Sequence, residues 1–214
     1  MGNHVVDVWW SDLRAMDRRL LAQLDPVEAR RAEGIASAAD LGRFVVGAVL
    51  LRVAVAAATG ADPRAVSIDR TCDECGCPHG RPRVAGLHVS VAHAGPPVVV
   101  ATSPDPVGVD VEALDRGPDV ETRVRGEATF KSTGSRDPAG RHVQPLPVPL
   151  HGYLAALAFD GTGEVGGHHP RSGRVRGGAR EGEGRAARDP HLLEVVRIPG
   201  GISLRSCSPG SASP

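Results

Sequence analysis

The sequence predicts an α+β fold followed by a disordered tail, and three observations carry that reading. Three short valine-containing runs, His88–His93, Pro97–Ser103 and Val107–Glu112, follow one another with only turn residues between them, as consecutive strands do. A long apolar stretch from Asp40 to Thr59 has the length and composition of a buried helix. After Asp160 the periodicity stops, and residues 161–189 are rich in Gly and Arg with almost no large apolar side chains. Such a segment cannot bury enough surface to offset the entropy of ordering it.

The elements follow in order. Val5 to Trp10 alternates like a strand, and Asp12 to Leu24 has helical spacing. Pro26 to Ala38 is a charged helix, with proline tolerated in the first turn behind Asp25. Asp40 to Thr59 is a helix ended by Gly60, a favourable C-terminal cap. Its most apolar part, from Phe44, is interrupted by Arg52 and is read as too short to cross a bilayer. Val66 to Asp69 is a short strand, and Cys72 to Arg83 is a Gly/Pro/Cys loop. After the three strands, Gly117-Pro118 marks a turn. Thr122 to Thr133 is a helix capped by Gly134, although Gly126 inside it costs about 1 kcal/mol against alanine. Ser135 to Pro149 reads as a proline-rich connection and Tyr153 to Phe159 as a last strand. Leu192 to Ile198 is a brief apolar island in the tail.

Composition narrows the function classes. The 214 residues carry 25 acidic and 25 basic side chains, so the net charge is zero and gives no footprint for nucleic acid. Apolar residues make up 41% and aromatics 3%, so Val, Ala and Leu must fill the core. The polar N-terminus shows no signal peptide, and no membrane partner is expected. Four cysteines, three of them within six residues, do not make a disulfide framework. The expected location is the cytoplasm.

The chemistry concentrates in two segments. In Gly108-Val109-Asp110-Val111-Glu112 strand alternation puts Asp110 and Glu112 on one face. Paired carboxylate oxygens on a rigid strand suit a hard cation such as Mg²⁺. In the helix that follows, Glu127 and Lys131 lie four apart on one face. Lys131 is the only lysine of the chain. Three carboxylates and one ammonium suggest metal-assisted chemistry on a phosphate ester.

These segments resemble the 4′-phosphopantetheinyl transferases of the surfactin-synthetase-activating type. Val89-Ser90-Val91-Ala92-His93-Ala94-Gly95 resembles the family's strand and turn, and Val107–Glu112 its metal strand. Glu127-Ala128, Lys131 and Gly134 resemble the second half of its helix motif. Asp40, Arg43, Gly47 and Arg52 resemble its N-terminal helix, and Gly152–Ala156 its closing strand. Cys72-x-x-Cys75-Gly76 with His79-Gly80-Arg81-Pro82 looks like a loop of actinobacterial members. The family's Trp and Lys positions in the helix motif are Arg123 and Gly126, its Ser beside the His is Ala92, and the C-terminal half is altered and shortened.

The resemblance implies two pseudo-symmetric α/β subdomains, residues 1–105 and a reduced 106–160, ahead of a tail at 161–214. It implies transfer of phosphopantetheine from coenzyme A to a serine of an apo acyl or peptidyl carrier protein, by a monomer. It implies Mg²⁺ on Asp110, Glu112 and Glu127, catalytic roles for Glu127 and Lys131, and coenzyme A contacts from Arg43, Arg81 and His93. The loss of part of the second half suggests exposed apolar strand edges near Val107–Val111. Two rival readings stand beside this one. The first is an impaired remnant that only binds coenzyme A or carrier protein. The second is a small zinc-binding module at Cys72, Cys75, Cys77 and His79.

Overall fold

The computed structural model describes residues 6–138 and 140–160, together with the backbone of 195–198. In chain order the elements are β1 (Val6–Asp12), α1 (Pro26–Glu33), α2 (Ala38–Thr59), β2 (His88–His93), β3 (Pro97–Ser103) and β4 (Val107–Ala113). Then come α3 (Val120–Thr133), β5 (Arg141–Leu146), β6 (Tyr153–Asp160) and β7 (Val195–Ile198). The first sheet has the order β2-β3-β1-β7 and the second β4-β6-β5, with antiparallel neighbours throughout.

Alternation along the strands builds three apolar layers. Val6, Val8 and Trp10 of β1 and Val99 and Ala101 of β3 face Val107, Val109 and Val111 of β4 and Ala155 and Leu157 of β6. This is the core between the two sheets. The opposite face of the first sheet, with Val98 and Val100, packs on Val46, Leu50 and Ala54 of α2. The opposite face of the second sheet, with Ala156 and Ala158, packs on Val124 and Ala128 of α3. The layers therefore run α2, first sheet, second sheet, α3.

Helix α2 is long and apolar enough to cross a membrane, yet 67% of its apolar window is buried inside the protein. The helix extends the apolar run from Phe44 to 22 residues in all, and its packing makes it the buried helix that the sequence suggests. Within it Arg52 is 2% exposed. Its guanidinium donates to Glu28 Oε2 at 2.9 and 2.8 Å, to Asp25 Oδ2 at 2.6 Å and to the carbonyl of Val66 at 2.8 Å. Asp25 and Glu28 also form the capping box of α1, so one buried arginine ties α1, α2 and the segment at Val66 together.

Several expectations are corrected. Asp12–Leu24 forms two 3₁₀ turns, Leu13–Ala15 and Arg18–Gln23, each opened by an aspartate that accepts a backbone N–H. Those caps divert the chain from a continuous helix. α1 stops at Glu33 because Gly34 caps it. Val66–Asp69 is no strand; Asp69 makes an isolated bridge to Arg83. Ser135–Pro149 contains β5, which tolerates Pro145 because it is an edge strand. Val107, Val109 and Val111 are at most 2% exposed, so β4 shows no bare apolar side. The disorder expected for 161–214 lies outside the described residues except at Val195–Ile198, which pair with β1.

Gly108 sets how closely α3 lies on β4. A Cβ there would fall inside the carbonyl oxygen of Ala128 and 2.6 Å from the amide of Ser132. Gly108→Ala is expected to destabilise the protein by about 3 kcal/mol, the upper range for overpacking against rigid backbone. Urea denaturation checks this, and a loss below about 0.5 kcal/mol would contradict the close approach. Arg52→Met strands the buried Glu28 carboxylate and should cost about 3–5 kcal/mol. Adding Glu28→Leu should recover much of that loss in the same assay.

Candidate active site at the seam between the sheets

The two sheets meet where β4 passes β2. The amide of Val109 donates to Ser90 Oγ at 3.0 Å, which joins the strands without a regular ladder. Helix α3 crosses this seam. Lys131 Nζ donates to Asp110 Oδ1 at 2.7 Å and to the carbonyl of Val91 at 3.4 Å. The ammonium thus bridges both sheets from the helix side.

Alternation on β4 explains why Asp110 is there at all. Its neighbours Val109 and Val111 point into the core between the sheets, so Gly108, Asp110 and Glu112 share the face toward α3. A one-residue slip would turn the acids into the apolar core between the sheets and the valines toward α3. Each buried valine contributes roughly 1.5–3 kcal/mol, so β4 holds its register even though Asp110 is 7% exposed.

The electrostatics leave this site incompletely satisfied. Burial pushes the Asp110 carboxyl above its ordinary range, Lys131 pulls it back in part, and Glu112 and Glu127 push it up again. Asp110 Oδ2 and Glu112 Oε2 are buried and accept no hydrogen bond among the described residues. Arg116 Nε stands 3.5 Å from Glu112 Oε2. Buried carboxylate oxygens without donors are uncommon. Such oxygens fit a hard cation, since Mg²⁺ takes one or two protein carboxylates and completes its shell with water and phosphate oxygens.

Basic groups line the other side. Arg43 Nη1 donates to the carbonyl of Gly95 at 3.3 Å, and its Nη2 pairs with Asp40. The arginine hydrogen bond holds the Asp40 carboxyl below its usual range, with help from Ser37. At the end of β2 the His93 imidazole, exposed at its surface, is pushed below its ordinary pKa, first by loss of hydration among its neighbours and then by Arg43 and Lys131. Arg43, His93, Lys131 and Asp110 therefore form one electrostatic neighbourhood, with Glu112 and Glu127 at its edge.

Two anticipated residues differ from the rest. The Glu127 carboxylate pairs with Arg136, not with Lys131 four residues on. Arg81 lies in the loop before β2, exposed; its guanidinium pKa is lowered by loss of hydration and by Arg83. Three residues that matter here escaped the sequence reading. Ser90 links the strands, Arg136 holds Glu127, and Tyr153 packs its hydroxyl against Gly95, whose φ of 55° turns the chain between β2 and β3. A serine inside a valine run was the only available hint.

The arrangement can bind a divalent cation, attract phosphate groups and accept a proton. Over 99 residues the chain is 28% identical to a 4′-phosphopantetheinyl transferase of Bacillus subtilis. The match covers 46% of this chain and 43% of that protein, less than half of either. No family model matches the chain.

The depressed pKa of His93 has a checkable sign. Protonation opposes folding, so the stability this residue contributes is fully present above its unfolded value near 6.5 and is lost as pH falls through the lower folded value. Imidazole titration by NMR should give a His93 midpoint below 6.5, moving upward in Arg43→Gln. A midpoint at or above 6.5 would contradict the crowding of positive charge at this seam.

Proposed function

We propose that this chain transfers the 4′-phosphopantetheine arm of coenzyme A to a serine of an apo acyl or peptidyl carrier protein. One observation carries the reading: Asp110, buried and paired with Lys131 at 2.7 Å, lies beside the half-buried Glu112, and each has a buried oxygen that accepts no hydrogen bond among the described residues. The partial identity to a 4′-phosphopantetheinyl transferase supports it.

In this reading the serine Oγ forms a bond to the phosphorus nearer the pantetheine arm. The pyrophosphate P–O bond breaks and 3′,5′-ADP leaves. Mg²⁺ held by Asp110, Glu112 and Glu127 would supply charge neutralisation on the pyrophosphate. Glu127 takes the serine proton, directly or through a water it holds, a contribution of about 10²–10⁴-fold. Lys131 offsets charge on the departing phosphate, and Arg43, His93 and Arg81 hold the phosphates of coenzyme A. Arginine suits that task through its planar fork. The same proposal places the protein in the surfactin-synthetase-activating type. It makes the chain a cytoplasmic monomer without nucleic-acid or membrane partners, with subdomains 1–105 and 106–160.

A second reading, a remnant that binds coenzyme A or carrier protein without turnover, is favoured by α3. Gly126 faces open space, with nothing within 4 Å of where a Cβ would be, and Arg123 is exposed. The family's lysine and tryptophan positions are thus empty and solvated.

The test is intact-mass spectrometry of an apo carrier protein incubated with the chain, coenzyme A and Mg²⁺. A gain of one phosphopantetheine is expected, abolished by EDTA and lowered at least about 10²-fold in Asp110→Ala and Lys131→Met. No gain from a folded chain, beside a working control enzyme, would leave the binding-only reading. Coenzyme A retention measured by calorimetry would then support that remnant.

A further inference from the structure

A second cluster lies away from the seam, in the loop between α2 and β2. The ligand atoms of Cys72, Cys75 and His79 all lie within 4.8 Å of one another. Cys75 Sγ is 3.0 Å from His79 Nε2. None of Cys72, Cys75 and Cys77 is in a disulfide. We propose that Cys72, Cys75 and His79 bind one Zn²⁺, which clips this loop shut.

The chemistry and the spacing both select zinc. Two thiolates and an imidazole are zinc ligands, whereas hard cations take oxygen. With Zn–S near 2.3 Å and Zn–N near 2.0–2.1 Å, tetrahedral ligands stand roughly 3.5–3.8 Å apart. A set already within 4.8 Å reaches that by side-chain rotation, without moving backbone. The backbone is also fixed. Asp69 and Arg83 bridge the stem through hydrogen bonds of 2.9 and 2.8 Å. Cys72 donates to Cys77 O at 2.9 Å, and Gly76, at φ 70°, donates to Cys72 O at 2.9 Å. Gly80 presses on Cys72 so closely that a Cβ would lie 2.9 Å from its Cα. That contact sets the distance between the first and last ligand.

Cys77 stands apart, its thiol directed to the carbonyl of Cys75 at 3.8 Å. The site opens to solvent, with Cys75 and His79 exposed, so water fills the fourth position. Each thiol releases its proton on binding, and affinity rises with pH accordingly.

The test uses the full, untagged chain, reduced and stripped of metal, titrated anaerobically with Co²⁺ and then Zn²⁺. One equivalent of Co²⁺ should give thiolate charge-transfer and tetrahedral d–d absorption, which Zn²⁺ then abolishes. Cys75→Ser and His79→Ala should each lose the tetrahedral spectrum at one equivalent, with circular dichroism showing the fold retained. Cys77→Ser and Cys207→Ser should keep it. No tetrahedral spectrum, or one that survives Cys75→Ser or is lost in Cys77→Ser, would overturn the assignment. So would formation of a Cys72–Cys75 disulfide in place of metal uptake on exposure of the stripped chain to zinc in air.

Discussion

The seam depends on the absence of a side chain at residue 108. Any Cβ there would collide with the backbone of α3 at Ala128 and Ser132. Because none exists, the helix settles directly on β4, and the small residues Ala128, Ala156 and Ala158 complete the close contact. That distance decides everything on the same face of the strand. It brings Lys131 to Asp110 and lets its ammonium reach the carbonyl of Val91 on the neighbouring sheet. A larger residue would lift the helix and part the ion pair that the seam is built around.

Two buried charge systems in this protein behave differently, and the contrast separates scaffold from site. Arg52 is met by Glu28, Asp25 and a backbone carbonyl, and its guanidinium nitrogens are all engaged. A buried arginine held this way has a structural role, because its planar fork matches several fixed acceptors. Asp110 has one partner for two oxygens, and burial keeps its carboxyl above the ordinary range despite that partner. Carboxylates left underpaired in a crowded junction suit a cation, whose charge would complete their coordination. Lysine rather than arginine stands beside it. Its compact ammonium can pair with one oxygen and leave the other free, which a bidentate fork would not.

Much of this was legible from period and punctuation. The three strands before Ala113 follow valine runs broken by turn residues, and α2 is a long apolar stretch ended by Gly60 at φ 75°. Placing Asp110 and Glu112 on one face needed only strand alternation. What stayed hidden depended on long-range contacts. β5 contains Pro145, a local veto that only edge position removes. β7 is four residues inside a segment without period, and β1 supplies its partner. The Asp12 and Asp17 caps turned apparent helical spacing into 3₁₀ turns. At the site, no spacing rule could say that Ser90 would receive the amide of Val109, nineteen residues on. The pairing of Glu127 with Arg136 rather than Lys131 follows from which face α3 turns toward β4.

That last pairing bears on the proposed transfer, because Glu127 must be available to take a proton. Arg136 holds it through an ion pair whose arginine is 69% exposed and rests 5.6 Å from the ring of Phe130. An exposed ion pair is worth about 0–1 kcal/mol and a solvated cation–π contact about 0.5–1 kcal/mol. Freeing Glu127 therefore costs about 2 kcal/mol at most, a factor near thirty in population. The proton transfer that Glu127 would serve is worth about 10²–10⁴-fold, and a cation drawn to the carboxylates competes with Arg136 directly. The latch is weak enough to be opened by the ligands that the transfer requires, so the Arg136 contact does not argue against catalysis. The open space at Gly126 and the solvated Arg123 on the same helix weigh more heavily, since no rearrangement of neighbours restores side chains that are absent.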